Sequence, residues 1–221
     1  MYKKNIEAVI FDMDGVLVDT EPHHTILEQG LFNHFNINIS EEEHVTYMGK
    51  TSEKMWQEIV RDKNLSEDVM TYLAKHEEEA KNYFTQLADL HPIPGLVDIL
   101  NYLTETDIPI AVASSSSPAM IETILKKSGL TKYFNLTVSS VETGKSKPEP
   151  DVFLLTASRL NIKPEHCMVI EDSGNGIKAA KAAGMLCIAY RNNEESSADE
   201  NINEFSELKE LLPVYLKQHE S

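Results

Sequence analysis

The chain has 221 residues, 41% of them hydrophobic and 25% charged, with a formal net charge of −16. That length buries a sizeable core in one domain or one and a half, and no apolar run approaches the roughly 18 residues that span a bilayer. The acidity argues against a general nucleic-acid or anionic-membrane binder; anionic small molecules stay open, because a metal ion and one or two lysines can hold them locally.

Residues 6–11, rich in β-branched and aromatic side chains, read as a buried parallel strand. The strand runs into Asp12-Met13-Asp14-Gly15. Two carboxylates one residue apart at the carboxyl end of such a strand put dense negative charge where α/β sheets bind ligands. That charge is tolerable with a cation nearby or with one carboxyl protonated; the alternative is a plain Asp/Gly turn. From about 22 to 84 the pattern is helical, with starts expected at Ser40, Ser52 and Ser66, each ahead of acidic residues.

His91-Pro92-Ile93-Pro94-Gly95 is the strongest punctuation in the chain. Beyond it, helices are expected over 96–104, 118–128, 150–160, 176–183 and about 205–212. Strands are expected over 108–113, 136–139, 167–170 and 186–190, with Gly129 and Gly184 closing helices. Alternation of this kind implies an α/β domain of parallel strands joined by right-handed crossovers. The expected division is a core of residues 1–19 and 87–221, with a helical cap of residues 20–86 inserted after the first strand. Over the carboxyl ends of the strands, the insert would act as a lid. The N-terminus has no apolar h-region and no small-residue cleavage site, so no signal peptide is expected and the chain reads as cytoplasmic. Cys167 and Cys187 sit in apolar runs, as buried free thiols of a reducing compartment do.

Three more strand ends carry chemistry. After 108–113 comes Ser114-Ser115-Ser116-Ser117-Pro118, where a hydroxyl and the free N–H groups of a helix start make an anion site. Capping and a serine linker account better for Ser116 and Ser117. In Lys145-Ser146-Lys147-Pro148-Glu149-Pro150 the prolines pin Lys147 before a helix, whereas Lys145 reads as a solvated turn lysine; the same reading is open for Lys147. After 167–170, Glu171 and Asp172 precede a glycine-rich turn and suit a hard cation such as Mg²⁺, which prefers oxygen ligands. Parallel strand ends converge on one crevice, so the four sites would meet there.

Taken in order, FDMDGVLVDTEP, ASSSS, SKPEPDVF and VIEDSGNGIKAAKAAGM match the four signature motifs of the haloacid dehalogenase superfamily. The resemblance covers essentially the whole chain. Its nearest branch is subclass I, the β-phosphoglucomutase-like sugar-phosphate phosphatases. It implies a Rossmann-like parallel-sheet core with an inserted helical cap of the C1 type, acting on a small phosphorylated substrate with Mg²⁺. A monomer that binds neither nucleic acid nor membrane is expected. By the same resemblance Asp12 is the nucleophile and Asp14 the general acid and base, while Ser114 and Lys147 hold the phosphoryl group. The metal ligands would be Asp12, the backbone carbonyl of Asp14, Asp172, and Glu171 through a water. The dehalogenases that named the superfamily lack the second aspartate, so Asp14 points to phosphoryl transfer.

Ser115, His24, Gly49, Lys50, Ser52 and Lys75 are the candidate substrate contacts. A β-phosphoglucomutase grips its second phosphate with a cap arginine three residues after a glycine, and Ser52 stands at that position. Lacking that bidentate clamp, the chain is expected to pass the phosphoryl group to water, as a phosphatase. The alternative is a phosphosugar mutase, with His24 and Lys75 as mutase-like features. A phospho-accepting signalling domain and a silent ligand-binding domain are less well matched.

Overall fold

The structure, a computed structural model, describes residues 5–47, 50–192 and 197–216. In chain order the regular elements begin with β1 (Ala8–Phe11), then α1 (Glu21–His34), α2 (Glu41–Val45), α3 (Ser52–Asp62) and α4 (Val69–Gln86). There follow α5 (Leu96–Glu105), β2 (Ile110–Ser114), α6 (Pro118–Lys127), β3 (Thr137–Ser139), α7 (Asp151–Leu160) and β4 (Cys167–Glu171). The chain closes with α8 (Gly174–Ala182), β5 (Leu186–Tyr190), β6 (Glu200–Ile202) and α9 (Phe205–Tyr215). Two compact units result: Met1–Asp19 with Asp89–Ser221, and Thr20–Ala88.

The first unit is an α/β domain on a six-stranded sheet of order β3-β2-β1-β4-β5-β6, every pair parallel. β1, β2, β4 and β5 are buried at every residue, as continuous apolar strands between two helical layers must be. One face buries Ile10, Val138, Val152, Phe153, Val169, Ile177 and Met185 in a single cluster, with α7 packed on β1, β2 and β3 and α8 on β4 and β5. Each such side chain contributes about 1.5–3 kcal/mol by leaving water. Register sets the site: Phe11 lies opposite Val112 and Ile170, so Asp12, Ala113 and Glu171 stand at one level on three adjacent strands, with Ser114 one residue further along β2.

Just past β1 the chain folds back on itself. The Gly15 N–H donates to the Val18 carbonyl (2.8 Å), and the Ile93 N–H to Leu17 (2.9 Å). Gly15 takes φ +77°, which its lack of a Cβ allows.

Some boundaries differ from expectation for local reasons. Thr51, not Ser52, caps α3 by accepting from the Lys54 N–H, and Asp68, not Ser66, caps α4. β6 lies in a tail that reads as merely polar; it is a short edge strand, Glu-Asn-Ile, whose polar residues suit an unpaired edge. α9 runs three residues past its expected end, through Pro213. Both cysteines are free and buried, and burial pushes the Cys167 thiol up to about 12. Among the described residues no helix is long and apolar enough to cross a membrane.

The second unit is entirely helical among its described residues. Tyr72, His76, Ala80 and Phe84 recur every fourth residue along α4 and form its buried stripe, against Met55, Trp56 and Ile59 of α3. Trp56 stacks on Tyr72, with ring centroids 5.0 Å apart at 18°. Its indole N–H donates to His76 Nδ1 (3.2 Å). Indole is only a donor, so Nδ1 accepts and the proton sits on Nε2, which lies 3.3 Å from Ser52 Oγ.

Burial, helped by His24, lowers the His76 pKa to about 4. His76 therefore binds fewer protons folded than unfolded, and its stabilising effect is complete above about pH 6.5 and lost as pH falls toward 4. Between those limits the protein should lose roughly 3 kcal/mol from this group alone. His76→Asn, which keeps an acceptor for Trp56, should flatten that slope in urea-unfolding midpoints; an unchanged slope would discard the assignment.

Candidate active site

Asp12, Lys147 and Glu171 form a buried charged cluster at the carboxyl end of the first unit's sheet. Asp12 follows β1 directly, and its N–H donates to the Ile170 carbonyl (3.0 Å), which ties it to β4. Lys147 reaches in from the turn before α7. Its ammonium donates to Asp12 Oδ1 (2.5 Å), Glu171 Oε1 (2.6 Å) and the Ala113 carbonyl (3.3 Å), and it lies 5.0 Å from the centroid of the Phe153 ring. Only 6% of that side chain is exposed. Lys145, by contrast, is exposed and pairs with Asp151 at 3.1 Å. The two lysines thus separate as a pinned buried ammonium and a solvated one.

Glu171 is fully enclosed, and both its oxygens have protein partners: Lys147 on Oε1, and the Ser173 N–H (2.8 Å) and hydroxyl (3.0 Å) on Oε2. Two glycines make room for the acids. A Cβ on Gly176 would lie 1.6 Å from Glu171 Oε1, and one on Gly15 would lie 1.9 Å from Asp172 Oδ2. The Asn192 amide donates to the Asp172 carbonyl (2.7 Å), anchoring its backbone.

Asp12, Glu171 and Asp172 each place a carboxylate oxygen within 4.8 Å of the others. Burial drives the Asp12 carboxyl well above its usual pKa, Lys147 opposes this, and Glu171, Asp172 and Asp14 add to it. The Asp172 carboxyl is likewise raised, to about 7, first by burial and then by Glu171. Burial works against the Lys147 ammonium, yet Asp12 and Glu171 outweigh it and hold the group above its ordinary value. Three carboxylates against one ammonium leave excess negative charge on hard oxygens, which is the donor chemistry of a divalent cation such as Mg²⁺. With both Glu171 oxygens engaged, Asp12 and Asp172 are the acids better able to touch an ion directly.

The serine turn differs from expectation. Ser114 is fully buried and accepts from the Ser116 N–H (3.0 Å), while Ser115 is exposed. Ser117 starts α6 in extended conformation with no side-chain cap bond. Ser116 is more than the linker residue its sequence context implies: its hydroxyl donates to Asp14 Oδ2 (3.2 Å). A run of four serines contains nothing that singles out this one.

The remaining candidates belong to the helical unit. Lys50 pairs with Glu58 (2.5 Å), and Lys75 with Glu78 (3.0 Å) and Glu79 (2.7 Å). His24 lies in the first turns of α1 with its ring 5.3 Å from Phe84, Ser52 lies beside His76, and Gly49 falls outside the described residues. His76, which lies beside Ser52, and Trp56, which donates to His76, have no motif that marks them. Only their spacing on apolar stripes is visible in sequence.

A family model described as haloacid dehalogenase-like hydrolase matches residues 9–190. The chain is 32% identical over 180 residues to the phosphorylated carbohydrates phosphatase of Thermotoga maritima, covering 81% of this chain and 82% of that protein. It is 33% identical over 191 residues to the fructose-1-phosphate phosphatase of Escherichia coli, covering 86% and 99%. The crystal structure of the β-phosphoglucomutase of Clostridium difficile superposes with a TM-score of 0.83 at 26% identity, over 95% of this chain and 97% of that one.

The glycine contacts can be tested directly. Gly176→Ala should displace the enclosed Glu171 carboxylate from Lys147 and Ser173 and cost about 3 kcal/mol or more in denaturant unfolding. Gly30→Ala, in α1 where a Cβ meets nothing within 4 Å, should instead stabilise by about 0.5–1 kcal/mol. Equal effects at the two positions would contradict the packing described.

Proposed function

The chain belongs to the haloacid dehalogenase-like hydrolases, as a phosphoric monoester hydrolase of that family, and we propose that it is a Mg²⁺-dependent phosphatase of small, hexose-like sugar phosphates working through an aspartyl-phosphate. The observation that carries this reading is the Asp12–Lys147–Glu171 cluster with Asp172 beside it, at the level where three strands end.

Phosphomonoesters resist attack because their anionic oxygens repel nucleophiles. Lys147, the Ser114 hydroxyl and the N–H groups of the serine turn would offset that charge as it shifts in the transition state. Mg²⁺, when held by Asp12, Asp172 and the Asp14 carbonyl, with Glu171 through a water, supplies further positive charge against the same oxygens. A carboxylate oxygen of Asp12 attacks phosphorus in line, and the bond from phosphorus to the sugar oxygen breaks. Asp14 gives its proton to that leaving oxygen. It then takes a proton from a water, which attacks the phosphoryl group, breaks the Asp12–phosphate bond and releases inorganic phosphate.

The superposition on a β-phosphoglucomutase keeps a phosphosugar mutase as second reading. The helical unit favours the phosphatase. Ser52 occupies the place of the mutase arginine and is engaged by His76, and Lys50 and Lys75 are neutralised by glutamates. None of these three offers a planar clamp for a second phosphate. We assign selection of the sugar to the helical unit, with Ser52 and Lys50 as candidates and His24 and Lys75 as less direct ones. A monomer is the proposed state.

Phosphate release from a panel of sugar and polyol phosphates should require Mg²⁺ and stop with EDTA. Asp12→Asn should remove turnover by about 10³-fold or more with the fold intact by circular dichroism. EDTA-insensitive release, or wild-type rates in that variant, would reject the mechanism. With β-glucose 1-phosphate and a catalytic amount of the 1,6-bisphosphate, free phosphate is expected. Glucose 6-phosphate formed without it would establish the mutase instead.

A further inference from the structure

Ser116 is held at three points. Its N–H donates to Ser114 Oγ (3.0 Å), its carbonyl accepts from Ser139 Oγ (2.7 Å), and its own hydroxyl donates to Asp14 Oδ2 (3.2 Å). Ser114 and Ser139 are register partners, the last residues of β2 and β3, and both are buried. The backbone of Ser116 is therefore clamped by two adjacent strand ends, and its hydroxyl is carried to a defined place. The backbone of Asp14 is fixed as well, by its bridge to Val18 and by the Gly15 N–H bonded to the Val18 carbonyl. What that bridge leaves undetermined is the orientation of the Asp14 carboxyl group about its side-chain torsions.

We propose that Ser116 is a positioning residue for Asp14: its hydroxyl sets the orientation of the carboxyl group and keeps the transferable proton on Oδ1. The inference rests on the reading of Asp14 as general acid. A hydroxyl that donates to Oδ2 stabilises negative charge on that atom, so in the acid form the proton resides on the other oxygen. General acid catalysis depends on that proton being within hydrogen-bond reach of the leaving oxygen, and small misplacements are costly in rate. Nothing else in the mechanism uses the Ser116 side chain, because Lys147 and Ser114 are the groups assigned to the phosphoryl oxygens.

The test compares two leaving groups by kcat/KM, which reports the transfer to Asp12 whether or not hydrolysis of the aspartyl-phosphate limits kcat. A sugar alkoxide must be protonated as it leaves, whereas p-nitrophenolate leaves without help. Ser116→Ala should lower kcat/KM on a sugar phosphate that the wild type hydrolyses by about 10- to 100-fold, part of the factor a general acid supplies, and on p-nitrophenyl phosphate by less than about threefold. Ser116→Thr, which retains the hydroxyl, should restore the sugar-phosphate rate. Should the alanine variant fold poorly, Ser116→Cys, of similar size and a weaker donor, reads the same ratio. An equal fall on both substrates, or no fall on either, would overturn the inference. Asp14→Ala is the control: if it too lacks the leaving-group selectivity, the acid role fails and the inference falls with it. If Asp14→Ala is selective and Ser116→Ala is not, only Ser116 is wrongly assigned. A wild type inactive on both substrates would sink the proposed function and this inference together.

Discussion

A single buried ammonium governs the carboxyl end of the sheet. Parallel pairing of β1 with β4 brings Asp12 and Glu171 to one level with almost no water around them. Two desolvated carboxylates there would repel each other and lose their hydration, and Lys147 between them supplies the compensating charge. The rest of the site follows from that placement. Glu171 is consumed by Lys147 and Ser173, which leaves the Asp12 and Asp172 oxygens as the surplus negative charge that suits a divalent cation. Gly15 and Gly176 are the positions where any side chain would collide with these acids.

The helical unit shows the same economy of buried polar groups on a smaller scale. Trp56 has one donor and His76 takes it, which fixes the imidazole tautomer and aims Nε2–H at Ser52. A neutral histidine is the form that fits this chain of contacts, and burial among aromatic rings keeps it neutral. Three lysines of this unit are matched by glutamates: Lys50 by Glu58, Lys63 by Glu43, and Lys75 by Glu78 and Glu79.

Much of the fold was legible because its signals are local. Buried parallel strands are continuous apolar runs, and β5 falls on residues 186–190 as its run of Leu-Cys-Ile-Ala-Tyr implies. Gly129 and Gly184 take positive φ just past the helices they follow. β6 was not legible, since a three-residue polar edge strand owes its existence to the neighbour it pairs with. The caps of α3 and α4 shifted by one or two residues because several Ser, Thr and Asp side chains compete at each helix start.

For the site, sequence alone determined which acids, serine and lysine follow which strand, because motif order and strand ends are properties of consecutive residues. Only the tertiary structure decided how those groups pair. Lys147 bonds to Asp12 across 135 residues of chain and Ser116 to Asp14 across 102, while Trp56 meets His76 across 20. Such contacts are set by strand register and helix packing. A hydrogen bond is made or lost over a few tenths of an ångström, a precision that no periodicity of apolar and polar residues encodes.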